Sequence, residues 1–107
     1  MPSLTVLSKK YLEAQGWVVE KTEYYNFFTK RRIDLLNIGD FLCLNGKELL
    51  LVQVTSRGHL LDRRKKAKDN DKLKLWFSAG GKLEFHGWDK YKNRWRVKVT
   101  DQNGKTK

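Results

Sequence analysis

The sequence predicts a mixed α/β (α+β) fold, one sheet with helices packed on its face, and three observations predict it. Asn45-Gly46 falls between the apolar run Phe41-Leu42-Cys43-Leu44 and a second run from Glu48 through Thr55, the strongest short-range hairpin signal. The segments from Ser3 and from Leu60 read as helices, and the chain closes on two alternating segments. The order is therefore α, β, β-hairpin, α, β, β.

Each element has its own signal. Ser3 is placed to cap a helix running to about Gln15, with Leu4, Leu7, Tyr11 and Leu12 or Ala14 at helical spacing and Gly16 as the stop. From Trp17 to about Tyr25 the β-branched and aromatic content favours a strand, and Asn26 to Asn37 reads as a long loop or short strand. In the hairpin a two-residue turn at Asn45-Gly46 sets Asp40 opposite Leu51. Asp40, Leu42 and Leu44 then share a face with Leu49, Leu51, Gln53 and Thr55, and Phe41, Cys43, Leu50, Val52 and Val54 form the opposite, apolar face. A one-residue change in loop length would exchange these faces.

Leu60 to Ala79 is a basic helical region, interrupted by Asp69-Asn70-Asp71 and ended by Gly80-Gly81. Lys82 to Trp88 is a strand with Leu83 and Phe85 on one side and His86 on the outward parity, where it reads as a surface residue. Arg94 to Thr100 turns Trp95, Val97 and Val99 inward and Arg94, Arg96 and Lys98 outward. Residues 1–100 make one domain and 101–107 a frayed tail.

Composition narrows the function. Lys and Arg number 23 against 12 Asp and Glu, a net +11 that predicts a polyanionic partner. Four Trp, four Tyr and five Phe argue against disorder. The longest apolar run, Leu49-Leu50-Leu51-Val52, is far short of the ~20 residues of a membrane span. A single cysteine, Cys43, excludes an internal disulfide, and Met1-Pro2-Ser3-Leu4 lacks the features of a signal peptide, so a cytoplasmic address is expected.

Gln53 and Thr55 interrupt an apolar strand near its end, on the face of Asp40, close enough to share one ion or water. They read equally as strand-end residues reaching water. Asp34, beside Arg31 and Arg32, is a second carboxylate candidate.

Arg32-Ile33-Asp34-Leu35, Gly39-Asp40-Phe41-Leu42 and Leu51-Val52-Gln53-Val54-Thr55 resemble the core of the PD-(D/E)XK nuclease superfamily, in particular its small phage-type and Holliday-junction-resolvase-like members. Gly81 to Trp88 and Trp95 look like the closing strands of such proteins, so the resemblance covers about Leu4 to Val99. It implies a restriction-endonuclease-like αβββαβ core and hydrolysis of phosphodiester bonds in DNA, branched DNA included. It sets Asp40 on the family's metal-binding Asp, Gln53 on its second acid and Thr55 on its lysine. Asp34, Asp40, Gln53 and the Val54 carbonyl would then hold one or two Mg²⁺ (or Mn²⁺) ions. An amide at Gln53 removes one negative charge from that site, and Thr55 brings none of the lysine's positive charge. His59, Arg63 and Lys66, at i, i+4 and i+7, form one helical stripe able to supply it. Resolvase activity would further imply a homodimer.

The binding surface is read from Lys30-Arg31-Arg32, Arg57, Arg63-Arg64-Lys65-Lys66 with Lys68, and Lys90 to Lys98, with Tyr91 as a base-stacking candidate and Trp95 as core. Three readings stand side by side: a metal-dependent endonuclease, a nuclease-fold nucleic-acid binder with a dead site, and an unrelated basic binding module.

Overall fold

The first helix begins where a hydroxyl is available to cap it. Ser3, in extended conformation, accepts the Val6 N–H at 3.2 Å and opens α1, Leu4–Ala14. Gly16, at φ +94°, closes it: the Gly16 N–H bonds the Glu13 carbonyl and the Trp17 N–H reaches back to Leu12. The computed structural model describes residues 3–22, 24–33 and 39–107, giving the backbone alone at 24–26, 32 and 33.

After α1 come β1 (Val18–Lys21), β2 (Tyr24–Asn26), β3 (Arg31–Ile33), β4 (Phe41–Leu44) and β5 (Leu49–Ser56). A 3₁₀ turn, Arg57–His59, leads to α2 (Leu60–Lys68), α3 (Asp71–Ser78), β6 (Lys82–Tyr91) and β7 (Arg94–Asp101). The fold is mixed α+β, as its patterning predicts. Five strands form one mixed sheet in the order β1-β4-β5-β6-β7. Pairing is antiparallel except between β5 and β6, which run parallel and are joined by the helical crossover α2–α3. The predicted break at Asp69-Asn70-Asp71 is a cap: the Asn70 side chain accepts the Lys72 N–H at 3.0 Å and starts α3.

Each face of the sheet buries its own core. Leu12 of α1 packs on Val19, Phe41, Cys43, Leu50 and Val52 of the sheet. Leu60 of α2 and Leu73 of α3 pack on Leu51, Leu83 and Phe85 of the other face. Each such side chain contributes roughly 1.5–3 kcal/mol of burial. Gly87 seats α2 on the sheet, because a Cβ there would come within 2.6 Å of Leu60.

The hairpin register differs from the expected one by two positions. Leu44 pairs with Leu49 and Leu42 with Leu51, so the loop is Asn45–Glu48. Asn45 Oδ1 accepts the Lys47 and Glu48 N–H groups at 2.9 and 2.8 Å, an Asx turn that a two-residue reading overlooks. An even shift preserves the faces, and it moves Asp40 from Leu51 to the position opposite Gln53. The tight two-residue turn of the sheet lies instead at Lys92-Asn93, both with positive φ (49° and 63°), between β6 and β7.

Two further expectations need correction. The tail is paired rather than frayed: Thr106 bridges Thr100, the Lys107 N–H bonds the Val99 carbonyl at 2.9 Å, and the Lys107 ammonium pairs with buried Glu84. The strand expected from Trp17 to about Tyr25 is divided into β1 and β2, and β3, a short strand within Asn26 to Asn37 as that segment's reading allows, pairs with β2 in a separate ribbon that exposes Phe27 and Phe28 at its turn. Among the described residues no helix is long and apolar enough to cross a membrane.

Candidate functional site

Asp40 precedes β4 and is fixed by its own backbone. Its N–H donates to the Val52 carbonyl at 2.8 Å and its carbonyl accepts the Thr22 N–H at 3.0 Å. Gly39 before it packs directly on Leu51, where any Cβ would collide at 2.1 Å. The carboxylate, 3 % exposed, therefore points along one line, toward the end of β5. There its Oδ2 accepts the Val54 N–H at 2.6 Å and the Gln53 side-chain N–H at 3.0 Å.

Gln53 Nε2 also reaches the Val54 carbonyl, at 3.4 Å. One NH₂ group thus fills the point on which a carboxylate oxygen and a backbone carbonyl converge. Rotating the amide by half a turn puts Oε1 at that point and makes a set of three oxygens, the donor type a hard cation selects. That set would suit Mg²⁺ or Mn²⁺ in donor type, with Asp40 as its one charge. Among the described residues no group of three or more His, Cys, Asp or Glu side chains stands ready to hold a metal. Asp34 lies outside the described residues.

Thr55 is buried on the same face and paired with Gly87 across the parallel ladder, beside the start of α2. The predicted basic stripe begins there. His59 is the cap residue of α2, exposed and 3.8 Å from Asp62. Arg63 and Arg64 are half-buried, and Lys65 and Lys66 are exposed. Lys66 lies farther along the helix, at the α2–α3 turn with Asp69, Asn70, Asp71 and Lys72.

The other basic residues occupy separate surfaces. Lys30 and Arg31 are exposed on the β2-β3 ribbon, and the Arg32 backbone lies within β3. Tyr91 is exposed at the β6-β7 turn, its ring already carrying the Arg96 guanidinium at 4.6 Å. Arg57 approaches Asp89 at 3.8 Å; Arg96 grips the same carboxylate through two hydrogen bonds, at 2.7 and 2.9 Å, and holds it below the usual aspartate range.

The opposite face holds a cluster that sequence reasoning missed. His86, read as a surface residue, is 0 % exposed beneath α1. Its Nδ1 lies 3.0 Å from Ser8 Oγ and its Nε2 3.3 Å from Glu84 Oε1. Trp88 donates its indole N–H to the same Ser8 oxygen at 2.6 Å, and Tyr11 meets both rings edge-on. The proton assignment that uses each group once has Ser8 O–H donating to Nδ1 and Nε2–H donating to Glu84. A serine, a histidine and a glutamate in a row suggest nucleophilic catalysis. Here Ser8 is 0 % exposed and its oxygen is taken by Trp88, so no substrate reaches it. The cluster ties α1 to the sheet. Burial pushes the Glu84 carboxyl up, but hydrogen bonds from His86 and Lys107 outweigh it and hold the group below the usual glutamate range. Burial, with the Glu84 charge behind it, pushes the nearby Cys43 thiol up to about 12, leaving it protonated and inert. A signal for the cluster exists in the sequence: Trp88 shares the parity of His86, which argues for a second buried face on a central strand.

Comparison with protein-family models, with curated proteins and with solved structures finds no match to this chain.

Proposed function

We propose that this protein is a metal-dependent endonuclease of the PD-(D/E)XK type, hydrolysing phosphodiester bonds in DNA, branched DNA included. The observation that carries the reading is the convergence of the Asp40 carboxylate, the Gln53 amide and the Val54 carbonyl at the end of the central hairpin. The order of elements supports it: with the β2-β3 ribbon set aside as an insertion between β1 and β4, and β7 as an added edge, a helix, three antiparallel strands, a helical crossover and a parallel strand follow the αβββαβ plan that the motifs imply.

Asp40 is the charged ligand, and Gln53 turns its amide oxygen inward to join it. A bound Mg²⁺ or Mn²⁺ supplies Lewis-acid stabilisation of charge on the phosphate and acidifies water. Thr55 contributes a hydroxyl without charge, so His59 and Arg63 at the start of α2 position water or phosphate, and Lys66, farther along the helix, holds the neighbouring backbone. The ribbon residues Lys30, Arg31 and Arg32 and the helix residues Arg64 and Lys65 add sequence-tolerant, salt-sensitive grip.

The test is cleavage of plasmid and of synthetic junctions in Mg²⁺, Mn²⁺ and EDTA, by wild type and Asp40→Asn. The expected result is metal-dependent cutting by wild type alone, with Asp40→Asn binding DNA at least as well. Equal cutting by both proteins overturns the mechanism. Sedimentation of the DNA complex tests whether two copies act together.

One observation favours a second reading. The Gln53 NH₂ already satisfies both oxygens without an ion, which suits a nuclease-fold binder that grips DNA and does not cut it. Binding indifferent to EDTA, with no cleavage in any metal, would select this reading.

A further inference from the structure

A pocket between α2 and β7 gathers cations around an unsatisfied hydroxyl. Among the described residues one buried side-chain polar atom lacks a hydrogen-bond partner, the Oγ1 of Thr100, a residue 1 % exposed. Buried polar atoms in folded proteins are nearly always paired, so an orphan beside a cavity is completed by what that cavity admits, a water or a bound ligand. Thr100 lines a cavity of about 260 Å³ with Arg57, Arg64 and Lys98. Drug-sized ligands occupy ~300–1,000 Å³, so the space suits a small anion.

The cations are positioned rather than loose. Lys98 and Thr100 lie two residues apart on β7 and face α2 together. Arg64, half-buried on α2, lies over Gly104, where a Cβ would come within 2.5 Å of its guanidinium; the turn that carries Gly104 is closed by its N–H to the Asp101 carbonyl. Arg57 touches Asp89 at 3.8 Å, but Arg96 already neutralises that carboxylate bidentately. Among the described residues neither Arg64 nor Lys98 has a carboxylate partner.

We propose that this pocket binds a phosphate group, with the Thr100 hydroxyl donating at its floor and Arg57, Arg64 and Lys98 around its oxygens. A phosphate matches each feature: oxygens for planar guanidinium forks, a negative charge for Lys98 and an acceptor for one O–H. Only the source of the group rests on the nucleic-acid reading above; the pocket stands without it. An end of a strand presents a protruding monoester, an internal linkage a diester, and inorganic phosphate the bare anion.

Three probes separate these sources: inorganic phosphate against sodium chloride of equal ionic strength, a 5′-phosphorylated oligonucleotide, and the same oligonucleotide with a 5′-hydroxyl. Inorganic phosphate is expected to raise the melting temperature of wild type in a saturable way, and to do so far less in Thr100→Val and Lys98→Gln. Thr100→Val keeps the shape and Lys98→Gln changes a half-buried surface group, so two independent variants report the same site. A terminal phosphate is identified if the phosphorylated oligonucleotide binds about tenfold tighter than its hydroxyl twin, a difference of about 1.4 kcal/mol. Equal affinity for the two, with the inorganic phosphate response intact, assigns the pocket to free or internal phosphate. A phosphate response no greater than that of chloride, or one undiminished in both variants, overturns the proposal. Asp40→Asn is expected to retain the response, so loss of cleavage and loss of phosphate binding are read apart.

Discussion

The two faces of the sheet bury polar groups to opposite effect. Beneath α1, Ser8, His86, Glu84 and Trp88 form a closed chain in which each ring nitrogen and hydroxyl has a partner, extended by the Lys107 ammonium. Beneath and beside α2, Asp40 and Gln53 meet at a strand end, and Thr100 leaves its hydroxyl unpaired among cations. The first cluster has the residue types of a catalytic triad and no access. In the second, Asp40 and Gln53 are buried and satisfy each other, while Thr100 stays unpaired beside a cavity lined by Arg57, Arg64 and Lys98. Residue identity alone therefore does not make a catalytic centre, because a nucleophile also needs access.

The largest expected effect lies on the closed face. His86→Ala removes a fully buried ring and takes one hydrogen bond each from Ser8 and Glu84, which keep only Trp88 and Lys107, and this should cost about 3 kcal/mol. Urea unfolding measures it, and the folded fraction should bind DNA as wild type does. A stable His86→Ala protein that had lost DNA binding or cleavage would break the comparison, by moving function to the α1 side. Next is Gln53→Glu. Without metal it sets two carboxylates against each other and should destabilise by about 2 kcal/mol. Millimolar Mn²⁺ should reverse the loss, seen as a rise in melting temperature. Destabilisation equal in Mn²⁺ and in EDTA would show that no ion enters between Asp40 and residue 53.

Acid should sharpen the contrast further. Glu84 is held below its unfolded value, so its contribution is present above the ordinary glutamate pKa, ~4.3, and is lost as pH falls through the lower folded value. The melting temperature of wild type should accordingly fall more steeply below about pH 4 than that of Glu84→Gln. Parallel curves would show that the carboxylate chain contributes nothing to holding α1. The smallest effect belongs to Lys66→Gln on the open α2 surface. Stability should change by less than about 0.5 kcal/mol. If Lys66 contacts a phosphate, the slope of log affinity against log salt falls by about one.

Much of the frame was legible in the sequence because it depends on local signals. Ser3 and Gly16 bound α1, Asn70 and Gly80 bound α3, and the alternation of Phe41–Leu44 and Leu49–Thr55 sorted both faces of the hairpin. Asp40, Gln53 and Thr55 fall on one face as that alternation predicts. Three things were not legible, each for a physical reason. The loop length was set by an Asx turn at Asn45, which competes with a two-residue turn using the same Asn-Gly pair. His86 reads as exposed because Leu83 and Phe85 account for one buried face, whereas a central strand between two helical layers has two. The Thr100 pocket joins Arg57, Arg64 and Lys98 across long sequence separations, and charge alternation on β7 cannot show what packs opposite.

The pairing that surrounds the β4-β5 hairpin has a consequence for how this site can change. The register of Asp40 against Gln53 is held by the strands on either side of the loop: β4 is paired with β1 as well as β5, and β5 is pinned again by its parallel ladder with β6. The loop Asn45–Glu48 is therefore a free end, and residues added there are absorbed at the tip at small cost. A slip by one position would carry Asp40 through the sheet, toward the layer of Glu84 and His86, and both buried faces of the hairpin oppose it. A library of longer hairpin loops should yield folded proteins at odd and even lengths alike, with Asp40 opposite Gln53 in each.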